Sequence, residues 1–230
     1  MKIIKHIPTL FWPIAILFFT YQFLLIIAPY TSWQLDVDFL ITKQHIIHLA
    51  HYRAAFYAHI FSSIFVLASG ALLFSKYILQ KAPKLHRYAG RVYVSALLLV
   101  SAPSGFVMAF YANGGWTAKW SFILMAPLWW YFTWKGFDTA RKRQFAEHKK
   151  WMLRSYALTL SAVSLRIFQM LLGQFFHLDP ITQYVLVSWA AWLGNWAAIE
   201  AWIWWKTGRS FSFSPAPLPR PSGRVSSLAA

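Results

Sequence analysis

Six apolar stretches recur along this chain, near 8–29, 53–79, 88–112, 117–137, 150–172 and 182–205. Each is close to the roughly 20 residues that an α-helix needs to cross the hydrocarbon core of a bilayer. The expected fold is therefore all-α: an integral membrane protein with six transmembrane helices, in which spans two to five form a central four-helix bundle. Composition enters as support. The chain is 58% hydrophobic and 12% charged, where a soluble domain carries about 25% charged residues. A disordered chain, a coiled coil and an ordinary soluble enzyme are excluded. The absence of cysteine excludes disulfides, thiolate zinc sites, iron–sulfur clusters and cysteine nucleophiles.

The organisation follows from the spans. Residues 1–52 comprise a first transmembrane helix and an outer surface segment, 53–172 a four-helix membrane core, 173–206 a sixth transmembrane helix and 207–230 a cytoplasmic tail. The first run follows Lys2 and Lys5. It is long for a signal-peptide core and no small-x-small site follows it, so it is expected to be a retained helix. Segment 31–52 is too polar to span and is expected to form a short helix on the outer surface, with a bend near Tyr52. The tail is rich in Ser and Pro and is expected to be disordered.

Loop charges set the orientation. Segments 76–91 and 135–154 hold most of the loop Lys and Arg, and the tail adds Lys206, Arg209, Arg220 and Arg224. The other connections are poor in positive charge. Six spans with both termini in the cytoplasm satisfy every loop, as expected of a multi-pass protein in the lipid bilayer. The net charge of +16 is then a property of the loops and calls for no nucleic acid.

Burial in lipid does not account for ionisable groups inside or at the ends of spans. His86 opens the third span in PKLHRYAGRVY and His148 opens the fifth in AEHKKWMLRSY. In both, a base adjoins the His, an Arg follows at five or six residues (Arg91, Arg154) and a Tyr at seven or eight (Tyr93, Tyr156). Two similar hairpins related by a pseudo-twofold along the membrane normal would bring the two His to equivalent places. Facing imidazoles inside a bundle are what a b-type haem needs for axial ligation, with Arg87, Arg91 and Arg154 for its propionates. Basic residues at a cytoplasmic boundary also bind lipid phosphate, so an anionic lipid or phosphate site is the competing reading.

His59 lies inside the second span and needs a partner. His45, His48 and His51 precede it at helical spacing, with Asp36 and Asp38 nearby. The cluster could hold a divalent metal, or a second haem ligand with His177 as partner. Arg166, deep in the fifth span, could pair with a propionate, a quinone carbonyl or a carboxylate; Glu200 could neutralise Arg154 or an adjacent base. Trp189, Trp192 and Trp196 form a stripe on the sixth span that an interfacial belt would explain. Gly70, Gly90 and Gly105 are candidates for close helix contact. No P-loop, GxSxG, HExxH or dinucleotide fingerprint is present.

From HIFSSIFVLASGALL through LHRYAGRVY, the turn ANGG and EHKKWMLRSYAL to Arg166, the chain resembles the DUF2306 family of bacterial predicted membrane proteins, a resemblance that implies a bacterial inner membrane. The matching positions are His59, His86, Arg87, Gly90, Arg91, His148, Arg154 and Arg166. The placement of His on successive helices is also similar to cytochrome b561-type four-helix haem proteins, an architectural analogy. In that type His pairs occur at both faces, whereas the repeat here sets Ser121 opposite His59. The expected function is a membrane haem b protein that passes electrons, with quinone as a candidate partner. His59, His86 and His148 are the candidate haem-iron ligands. The alternatives are a non-redox module for an anionic lipid or phosphate, and an accessory subunit packing against other membrane subunits.

Overall fold

The structure, a computed structural model, describes residue 18 and residues 20–208. Most of the first expected span and nearly all of the tail lie outside the described residues. The described chain opens in a helical segment, α1, residues 20–27. Pro29 opens the 3-10 turn Ala28–Ser32, which ends where Trp33 takes the left-handed conformation (φ 59°). A second 3-10 turn spans Asp38–Lys43. The segment expected as a surface helix is thus built of turns, and parts of it are buried: Leu40 and Lys43 are sealed from solvent. The expected bend falls at Leu49, whose extended backbone precedes the next helix.

The helices that follow are α2 (Ala50–Leu73), the short α3 (Lys76–Lys81), α4 (Pro83–Ala109), α5 (Gly115–Arg141), α6 (Phe145–Phe175) and α7 (Pro180–Gly208). Their ends have local causes. Ser75 accepts from the Ile78 amide to start α3. Gly114 and Gly115, with φ of 81° and 70°, make the reversal from α4 to α5 that a side chain would strain. The Asp179 carboxylate accepts from the amides of Ile181 and Thr182, and Pro180 follows as the first residue of α7. A side-chain hydrogen bond with Thr182, and then those amide bonds, hold the Asp179 carboxyl below the usual carboxylate range.

Among the described residues three helices, α2, α4 and α6, are long and apolar enough to cross a membrane. Helices α5 and α7, 27 and 29 residues long, have the length but do not reach that apolarity. Helices α2 and α4 pair as one hairpin, α5 and α6 as another, and α7 lies along α6 and α5. The hairpins meet around Tyr93 and Tyr156, which belong to one buried cluster with Trp129, Phe132 and Trp192. Gly70 allows this approach: a Cβ there would stand 2.3 Å from the Tyr156 ring and 2.9 Å from that of Tyr93. Side-chain hydrogen bonds cross between the helices at the same level. Tyr93 Oη meets Ser155 Oγ at 2.7 Å and Thr159 Oγ1 at 3.0 Å, and Trp129 Nε1 donates to Thr159 Oγ1 at 3.1 Å.

Two helices are interrupted where side chains compete for carbonyls. In α6 the Thr159 and Ser161 hydroxyls donate to the carbonyls of Ser155 and Ala157, back-bonding that bends a helix, and the ladder breaks at Leu160. In α4 the residues Leu97–Ser101 form a π turn. The Ala102 amide bonds five residues back to Leu97. The next residue, Pro103, has no N–H to give the Leu98 carbonyl. The Trp130 indole on α5 donates to that carbonyl instead, at 3.1 Å.

Candidate functional site

The sequence-derived site residues fall into two groups at opposite ends of the helices. His59 is fourteen residues before the end of α2 at Leu73, about 21 Å along a helix axis. Gly90, just beyond His86, packs at that far end, where a Cβ would meet Leu73 at 3.6 Å. No single group is reached by His59, His86 and His148 together.

At the basic end, His86 and His148 are both half-buried and lie within electrostatic range of each other. His148 Nδ1–H donates to the Gly136 carbonyl at 2.7 Å. That bond fixes the ring and leaves Nε2 as the lone-pair nitrogen. Its acceptor sits where α5 and α6 touch: a Cβ on Gly136 would stand 2.6 Å from Met152 Sδ. His86 Nδ1 is buried and has no hydrogen-bond partner. Arg87 and Arg91 are exposed. Arg154 is committed elsewhere. Its Nε and Nη2 donate to the Glu200 carboxylate on α7 at 2.5 and 2.9 Å, Trp196 Nε1 donates to the same carboxylate at 2.9 Å, and the guanidinium lies 4.6 Å from the Trp151 ring centre. Glu200 thus does neutralise Arg154.

At the other end, His59 and Arg166 border one half-open chamber of about 410 Å³, lined by residues of α1, α2, α4, α5, α6, α7 and the turns before α2. His59 Nδ1–H donates to the Ser101 carbonyl in the π turn at 2.8 Å, leaving Nε2 without a protein partner. Gly105 makes room for the ring, since a Cβ there would sit 3.0 Å from His59 Cε1. Arg166 makes one long bond, Nη1 to the Ala162 carbonyl at 3.4 Å, and lies 4.7 Å from the Phe23 ring centre. Two buried hydroxyls of the lining, Tyr52 Oη and Ser63 Oγ, have no partner.

Lys43 belongs to this chamber too and is 1% exposed. Its ammonium donates to the Tyr111 carbonyl at 2.6 Å and to Asn113 Oδ1, and lies 5.3 Å from the Phe39 ring centre. Burial, and then the nearby Lys119, push its pKa down to about 8. Sequence reasoning missed Lys43, because it sits in a segment that reads as hydrated surface. The signal that could have found it is Asn113 in the ANGG turn, a polar side chain at a helix junction.

The histidine cluster before α2 does not assemble on one face. His45 and His48 stand in a turn, and α2 begins only at Ala50, so the spacing of three has no helix to act through. His51 Nε2 meets Tyr111 Oη at 2.6 Å. His177 is exposed in the loop before α7 and is not part of the chamber lining. No group of three potential ligands occurs among the described residues. The tryptophan stripe of α7 is an inter-helix seam rather than an interfacial belt. Trp189 donates to the Thr117 carbonyl and Trp192 to Ser121 Oγ on α5, and Trp192 is 4% exposed.

A family model described as predicted membrane protein (DUF2306) matches residues 56–204. That range takes in most of α2, all of α3 to α6 and most of α7. No curated protein and no solved structure matches the chain.

Proposed function

The chain belongs to the DUF2306 family of predicted membrane proteins, and on that premise we propose that it is a b-type haem protein of the bacterial inner membrane that passes electrons, with a membrane quinone as its partner. The observation that carries this reading is the pair of half-buried imidazoles at one end of the two hairpins, within electrostatic range of each other. Each has a ring nitrogen without a protein partner. His148 presents Nε2 because Nδ1 is tied to the Gly136 carbonyl. The orphaned His86 Nδ1 is a buried polar atom of the kind that a bound group satisfies.

The donor set fits haem. Neutral imidazoles suit iron, and a backbone-bonded Nδ1 is the usual outer support of a ligating His. Bound there, haem would supply reversible one-electron chemistry. The chain's own part is to hold the imidazoles and to offset the propionates with the positive charge of Arg87 and Arg91. Arg154, given that role from the sequence, is neutralised by Glu200. The same pair weakens the competing anionic-lipid site, which counted on Arg154 as a free base. Orientation is part of the proposal: the end carrying His86, His148 and most loop Lys and Arg faces the cytoplasm.

A reduced-minus-oxidised visible spectrum of full-length protein, purified from haem-supplied cells, tests the reading. The expected result is a b-type α band that is lost in His86→Ala and in His148→Ala. A flat spectrum from folded protein contradicts it.

A further inference from the structure

We propose that the chamber at the His59 end is a binding site for a single-chain anionic amphiphile, an acyl chain ending in a carboxylate or a phosphate, whose head is taken by Arg166. Haem at the far end is not required for it.

The first argument is charge. The chain has six acidic residues in all. Asp138 pairs with Lys142, Glu147 with Lys150 and Glu200 with Arg154, and Asp179 caps α7. Asp36 and Asp38 remain, and neither lines the chamber. Asp38 lies on an adjoining groove that Arg166 also borders, and forms no ion pair with it. Two cations, Arg166 and Lys43, therefore border a largely apolar chamber with no carboxylate in its wall. Arg166 is itself exposed, on a helix apolar enough to cross a membrane; an unpaired guanidinium there is costly once lipid surrounds it, and an anion bound to it removes that cost.

The second argument is hydrogen bonding. A guanidinium carries five N–H donors, and Arg166 uses one in a long bond. Tyr52 Oη and Ser63 Oγ are buried in the same lining without partners. A head with several oxygens satisfies such groups. A neutral quinone would accept some of those bonds but would leave the charge unmet.

The third argument is shape. The groove adjoining the chamber has a volume of about 960 Å³, and its wall continues over Leu25, Ile167 and Met170. Met170 and Leu25 are 65% and 51% exposed, on a helix apolar enough to sit in lipid in the case of Met170. Arg166 stands where groove and chamber meet, so a head at Arg166 lets an acyl chain lie along either. Phe56, Trp129 and Trp192 offer the chain an apolar wall inside.

The test is equilibrium binding of radiolabelled probes to the purified full chain in neutral detergent. The probes are palmitate, lysophosphatidate with the same acyl chain, hexadecanol and a short-tailed quinone. We expect at least one of the two anions to bind, and to bind at least tenfold more tightly than the alcohol and the quinone. Whichever anion binds more tightly identifies the head. Arg166→Gln should weaken it at least tenfold, Arg166→Lys should weaken it less, and Lys81→Gln at the basic end should not change it. Should Arg166→Gln fail to fold, Arg166→Lys and the comparison of anion with alcohol decide. Failure of both anions to bind, equal binding of hexadecanol or the quinone, or full retention by Arg166→Gln overturns the proposal. The outcome is the same for haem-free and haem-loaded protein, so it is separable from the spectrum.

Discussion

Lys43 shows how much one residue can depend on contacts that sequence does not display. A lysine seven residues before a helix reads as surface, yet turns at Ala28–Ser32 and Asp38–Lys43 fold its segment over the chamber. There its ammonium satisfies a carbonyl and an amide oxygen from the α4–α5 junction, 68 and 70 residues away. Folding lowers its pKa from the ordinary 10.5 to about 8. Between those values the unfolded chain binds more protons than the folded one, so this group's contribution to stability rises with pH across that window. Thermal unfolding in detergent from pH 8 to 9.5 should show a smaller rise in Tm for Lys43→Met than for the unaltered protein; parallel curves would contradict the assignment. His59 is the opposite case. Its depth in an apolar run marked it as needing a partner, but the partner, the Ser101 carbonyl, could not be read, because a π turn leaves no simple pattern in sequence.

Helix existence was legible because about twenty apolar residues admit few other structures; the contacts between elements were legible only where small residues mark them. Gly70, Gly90 and Gly105 all look alike in sequence. Gly70 and Gly105 turn out to be close approaches, whereas a Cβ on Gly90 would make an ordinary 3.6 Å contact. Gly70→Ala should therefore cost about 1–3 kcal/mol, or more if the Tyr156 ring cannot move. Gly90→Ala should be neutral or stabilising by up to about 1 kcal/mol through helix propensity. Denaturation of the two variants in the same detergent checks the contrast, and equal effects would contradict it. The tryptophans of α7 were misread for a similar reason. A stripe at helical spacing fits a belt as well as a seam, and only the matching acceptors on α5, Thr117 and Ser121, tell them apart.

At the scale of the whole molecule, two chemically different ends are joined by an aromatic and hydroxyl-lined middle. Sequence symmetry led to the His86–His148 end, since HRYAGRVY and HKKWMLRSY resemble each other along the chain. The chamber end draws on helices distant in sequence and on the turns before α2, so no local motif announces it. The proposed orientation is open to a clean check because the chain has no cysteine. A single cysteine at the exposed Arg143 turn should react with an impermeant thiol reagent only after cells are opened. One at Trp116, 68% exposed at the other end, should react in intact cells, and the reverse pattern would invert the topology. The measurement that bears most directly on the account is haem content per chain for the unaltered protein and its His86→Ala, His148→Ala and His59→Ala variants. The account predicts about one haem, lost with either of the first two substitutions and kept with the third. Haem retained without His86 and His148, or absent from folded unaltered protein, would contradict it.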